Sequence, residues 1–151
     1  MRWEQGLRST TVPNQRIQLL LQRGESVSCV WTQKNLARQK HAVDHCFPWS
    51  RWLNNDLWNL IPATAAANNA KSDKLPSAAL LQHSRRPIVD WWERAYAQDE
   101  MLAQQFFIEA EAALPLLDGD DRSLDSVFHA MEYQRTKLRS SQQLAEWHLK
   151  S

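Results

Sequence analysis

Between His41 and Pro76 the chain reads HAVDHCFPWSRWLNNDLWNLIPATAAANNAKSDKLP, and the polar residues in it are spaced as a set. An Asp-His pair, Asp44 and His45, is followed fourteen positions later by Asn59 within Trp-Asn-Leu-Ile-Pro, and nine positions after that by Asn68 within Asn-Asn-Ala-Lys-Ser-Asp. A neutral imidazole, with an ordinary pKa near ~6.5, can take a proton from water at physiological pH. A carboxylate oxygen from Asp44 and an amide oxygen from Asn68 are hard donors of the kind Mg²⁺ prefers, and two such ligands leave positions for water and a substrate oxygen. Together these groups could make a nucleophile from water and hold negative charge beside it. Hydrolysis of a phosphodiester requires both.

In this order and at these spacings, with Lys71-Ser72-Asp73 and then Pro76 beyond, the stretch resembles an HNH nuclease module. In that ββα-metal unit a strand carries the Asp-His pair and a short helix returns the last ligand. The stretch is similar to the HNH domain of RNA-guided CRISPR effector nucleases and to small stand-alone HNH endonucleases, and it covers about a quarter of the chain. The resemblance implies that His45 is the general base, and that Asp44 and Asn68 hold one divalent cation, Mg²⁺ with Mn²⁺ as a substitute. Asn59 would be the amide that ties down the loop orienting His45, by satisfying backbone groups that have no ladder partner. The substrate implied is nucleic acid, with DNA favoured. Lys71, three residues after Asn68, is the first candidate for a phosphate contact, with Arg51 and Lys74 behind it.

Each residue has a plainer reading. An isolated Asp-His pair is more often surface hydrogen bonding, an Asn after a Trp more often makes a turn, and Asn-Asn before Lys more often frays a helix. The joint pattern outweighs these. Many members of the family brace the module with two Cys-x-x-Cys pairs around zinc, but here those places hold Cys29 with Thr32, and Thr64 with Ala67. Structural zinc is therefore not expected, and packing by Trp31, Phe47, Trp49, Trp52 and Trp58 must take its place. The alternative function is a catalytically inactive nucleic-acid-binding or helical protein-interaction module.

Composition bounds the rest. The chain has 151 residues, eight of them Trp, and a formal net charge of +1. The charge is uneven: residues 1–76 carry ten Lys/Arg against five Asp/Glu, and residues 77–151 carry eight against twelve. A basic front and an acidic back suit a protein that grips a polyanion on one side. No run reaches the ~18–20 apolar residues of a membrane span, and two cysteines make no disulfide framework. A cytoplasmic location, with no membrane partner, is the expectation.

The elements that must position these groups read as α+β: a small ββα-metal module followed by a mainly helical C-terminal region. Residues 1–24 form an N-terminal segment with a short helix from Asn14 to Gly24, 25–76 the nuclease module, and 77–151 the helical region. Alternation in Glu25–Thr32 and His41–Cys46 predicts a hairpin whose second strand carries Asp44 and His45. Asn59–Pro62 reads as a turn or extended piece and Thr64–Lys71 as the helix. Side chains alternate along a strand, so Asp44 and His45 can share one site only where the strand ends. Beyond, Ile88–Leu114 reads as one long or two shorter helices and Ser123–Leu149 as another. The acidic turn Asp118–Asp121 caps a helix and makes no calcium loop, since no Glu stands at the twelfth position. These helices are the surface available to a protein partner.

Overall fold

A two-stranded antiparallel ribbon with a short helix following it directly forms the centre of the protein, in a computed structural model that describes residues 9–50 and 52–149. Strand β1 (His41–His45) pairs with β2 (Leu60–Thr64), so that His41 faces Thr64, Asp44 faces Ile61 and His45 faces Leu60. Helix α2 (Ala65–Lys71) follows β2 without a loop, because the Thr64 hydroxyl caps it by accepting from the Ala67 N–H. Ser72, at φ +52°, reverses the chain and ends the helix. The ββα order is the expected one.

The partner of β1 is not the expected one. Glu25–Thr32 contributes only an isolated bridge, Ser28 to Asn35, and the strand beside β1 is Leu60–Thr64. Its five residues are all buried, so no polar-apolar alternation marks it. Pro62 sits within it, yet β2 has a second neighbour, since the Val30 N–H donates to the Pro62 carbonyl at 3.1 Å. A residue's N and C=O point to the same side of a strand, so proline's missing donor lies on the Val30 side and takes nothing from the ladder with β1.

Helix α1 (Thr11–Gln22) packs Ile17 and Leu20 inward and ends at Gly24, whose φ of +79° suits glycine. After α2, β3 (Leu75–Pro76) leads into α3 (Ala78–His83) and α4 (Arg85–Trp92), which runs on through a π-turn at Glu93–Ala97. Pro87 lies in the first turn of α4, where a missing N–H costs nothing. Helix α5 (Glu100–Ala113) and helix α6 (Leu124–Gln142) complete the helical region, their N-termini capped by Asp99 and Ser123. The chain then returns as β4 (Glu146–Trp147), pairing in parallel with β3. Ser123–Leu149 is thus helix and then strand, not one helix throughout.

The core is continuous across these parts. Ile17 of α1, Trp31 and Trp58 near the ribbon, Ala63 of β2, Trp91 and Trp92 of α4, Phe106 of α5 and Met131 of α6 belong to one apolar cluster. No helix among the described residues is long and apolar enough to cross a membrane.

Candidate active site

Strand β1 ends at His45, and the alternation of side chains sends Asp44 and His45 to different neighbours. Asp44 points inward and is 3% exposed. Its Oδ2 accepts the Trp31 indole N–H at 2.8 Å, and its Oδ1 accepts from the Lys71 ammonium at 3.3 Å. Lys71 is fully buried, and its Nζ also donates to the His45 carbonyl at 2.8 Å. One ammonium from the end of α2 therefore ties down both residues at the end of β1. Removing either partner from a buried pair of this kind typically costs about 3–5 kcal/mol. The sequence suggests Lys71 as a phosphate contact; in the structure its charge is directed inside the protein, to Asp44 and a main-chain carbonyl.

His45 is mostly buried, at 8% exposure, with its Nε2 3.0 Å from the Asn55 amide oxygen and its ring 5.5 Å from Trp49. An amide oxygen only accepts, so Nε2 is the donor in that contact. Nothing in the sequence singles out Asn55, which is one of several Asn and Asp residues in a loop with no periodicity.

The loop from 46 to 59 is closed by Asn59, whose side chain is completely buried. Its Oδ1 accepts from the Phe47 N–H at 2.9 Å, and its Nδ2 donates to the carbonyls of Phe47 and Asn54 at 3.2 and 3.1 Å. The Asn59 carbonyl takes the Cys46 N–H at 2.8 Å, so the ladder runs one step past β1. An alanine at 59 would orphan three buried backbone groups, at about 1–3 kcal/mol each. Phe47, Trp52 and Trp58 pack on one another with centroids 5.6–6.0 Å apart and fill the space inside the loop. Asp56 adds a second bracket, accepting from the Asn54 amide at 3.0 Å and the Trp58 indole at 2.9 Å.

The helical region holds the other end of this loop. The Leu57 N–H donates to Glu109 Oε1 of α5 at 2.8 Å. The α4 indoles of Trp92 and Trp91 donate to the carbonyls of Trp58 and Leu60 at 3.2 and 3.1 Å. Burial holds the Glu109 carboxyl above its usual range, against the opposing pull of the Leu57 N–H. Burial likewise pushes the Cys46 thiol well up, so beside His45 it is a packing group and no nucleophile.

Helix α2 turns Ala67 and Lys71 inward, leaves Asn68 half-buried and exposes Asn69. Asn68 lies about one turn before Lys71 on the same helix. Asp44 and Asn68 offer oxygen only. Each Asp44 oxygen accepts one hydrogen bond, from Trp31 or from Lys71, and retains a further lone pair that a hard cation could use. Lys74 is half-exposed, and Arg51 lies outside the described residues. An open groove of about 1050 Å³ between Ser28, Pro62, Arg86 and Trp91 includes none of these groups.

A family model described as HNH endonuclease matches residues 29–77. The match takes in Trp31, β1, the loop, β2 and α2, with Asp44, His45, Asn55, Asn59, Asn68 and Lys71. No curated protein and no solved structure matches the chain.

Proposed function

We propose, from the match of residues 29–77 to the HNH endonuclease model, that the protein is a metal-dependent endonuclease hydrolysing phosphodiester bonds in DNA. The observation that carries this reading is the setting of His45. It stands at the end of β1 with the Asn55 amide oxygen 3.0 Å from Nε2, and the reading assigns the base's role to the other ring nitrogen. In the proposed reaction Nδ1 takes a proton from a water molecule as its oxygen attacks phosphorus. The new phosphorus–oxygen bond forms, the bond to the leaving sugar oxygen breaks, and that oxygen takes a proton from solvent. Asn59 holds the loop that carries Asn55, and so keeps the imidazole aimed. Asp44 and Asn68 are the residues that would hold Mg²⁺ or Mn²⁺, whose charge offsets the negative charge building on the phosphate. Lys74 and Arg51 stay as candidate phosphate contacts from the basic front of the chain.

A second reading has one observation in its favour. Both Asp44 oxygens already accept hydrogen bonds, and one bond comes from an ammonium. A module locked in that state would bind nucleic acid or a protein without cutting. Nicking of supercoiled plasmid separates the two readings, with linear DNA, single-stranded DNA and RNA offered in parallel, each with Mg²⁺ and with chelator. Metal-dependent nicking that His45→Ala lowers by ~10²–10⁴-fold supports the nuclease. Cleavage at the parent rate by the variant removes His45 as the base, and no cleavage of any substrate favours the silent module.

A further inference from the structure

We propose that Lys71 is an internal cation that occupies the metal-binding carboxylate and competes with the divalent ion for it. The inference rests on the reading of Asp44 as a ligand. It is carried by the burial of both partners: Lys71 is 0% and Asp44 3% exposed, with Nζ 3.3 Å from Oδ1. Water is excluded from this ammonium, and its hydration is replaced by Oδ1 and the His45 carbonyl. One carboxylate and one ammonium leave the pocket neutral. A divalent ion on the same carboxylate would put three positive charges beside one negative charge, in surroundings that screen them poorly.

Among the described residues, no group of three His, Cys, Asp or Glu side chains is placed to hold a metal. Oδ2 is held by the neutral Trp31 indole at 2.8 Å, which orients the carboxylate without adding charge. A lysine ammonium on its flexible four-carbon stem can yield, where an arginine fork on the same carboxylate would be harder to dislodge. The metal-free protein thus holds divalent ions weakly, and a phosphate arriving with the substrate supplies the missing negative charge. Metal and nucleic acid are then admitted together.

The test is metal binding without turnover. Mn²⁺ is titrated into the full chain at pH 8, with free Mn²⁺ read by electron paramagnetic resonance, for the parent, Lys71→Met and Asp44→Asn. The side-chain ¹⁵N resonance of Lys71 is followed in the parent as Mg²⁺ is added. Lys71→Met should bind Mn²⁺ at least about tenfold more tightly than the parent, and the Lys71 resonance should move as Mg²⁺ saturates. Equal or weaker binding by Lys71→Met overturns the competition. If that variant does not fold, the parent resonance decides alone, and a signal unmoved at saturation overturns it too. Asp44→Asn should lose binding. Parent-like affinity there would overturn the ligand assignment, and the inference with it.

Discussion

Trp147 stands edge-on against Trp31, with ring centroids 5.8 Å apart and planes at 88°, and Trp31 in turn donates its indole N–H to Asp44. Strand β4 therefore reaches the back of the carboxylate through one intervening ring. Arg135 of α6 fixes β4 by an ion pair with Glu146 at 2.7 Å, and Arg139 donates to the Leu144 carbonyl.

Trp147→Ala is expected to destabilise the protein by about 3 kcal/mol, from lost apolar contact and the lost edge-to-face pair. It should also weaken Mn²⁺ binding, because Trp31 loses the ring that fixes its tilt. Urea unfolding and a Mn²⁺ titration check both. A variant that loses stability but keeps parent affinity would show that the Asp44 carboxylate is held without help from β4.

Asn55→Ala should slow cleavage by up to ~10²-fold while leaving unfolding close to the parent, since it removes the contact at Nε2 without opening a core cavity. Asn55→Asp retains an acceptor for Nε2–H and should raise the pH at which activity appears, because a carboxylate favours the imidazolium that cannot act as a base. Rate against pH for both variants is the measurement, and coincident parent and Asn55→Asp profiles would exclude Asn55 as the imidazole's partner.

Glu109 predicts a pH dependence of stability. Burial raises its folded-state pKa above the ordinary value of 4.5, so the folded protein holds this proton more tightly than the unfolded chain. Its contribution is fully present below the ordinary value and declines as pH rises through the interval up to the raised value. Glu109→Gln keeps an acceptor for the Leu57 N–H and removes the charge. Parent minus variant melting temperature should therefore fall between pH 4 and pH 8. A flat difference across that range would mean the carboxyl titrates alike in both states.

Metal choice tests the proposed assignment of Asn68, and not Asn69, as the partner of Asp44. Asn68→His puts a borderline nitrogen beside it and should shift activity from Mg²⁺ towards Co²⁺, Ni²⁺ or Zn²⁺. Asn69 is exposed, its side chain turned about 100° from that of Asn68. Asn69→His should keep the parent preference, which plasmid nicking across a divalent-ion panel would read. A switch in the Asn69 variant alone would exchange the two assignments.

Much of the site is legible in the amino-acid sequence because its parts are local. Thr64 caps α2, Asn59 brackets Phe47, and the order β1, loop, α2 follows from short-range signals that spacing preserves. Strand β2 is hidden for a physical reason: burial on all five residues erases alternation, and Pro62 argues against a strand. Glu25–Thr32 misleads in the opposite way, with an alternating pattern and no ladder to join. Lys71 suggests a phosphate contact because a lysine on a polar helix is normally solvated, and only a carboxylate brought from β1 makes its burial tolerable. Glu109, Trp91 and Trp92 act on the loop from far along the chain, and no spacing rule announces such contacts.

The pairing of β4 with β3 also sets an order of assembly on the ribosome. Residues 29–77 emerge before the helical half, carrying every proposed ligand and the proposed base, yet Trp31 waits for a partner that is made only after α6. A nascent chain that has produced the module alone has neither the indole clamps of α4 nor the ring behind Trp31. The proposed site is therefore completed late in synthesis, once the helical half is available to fold around it.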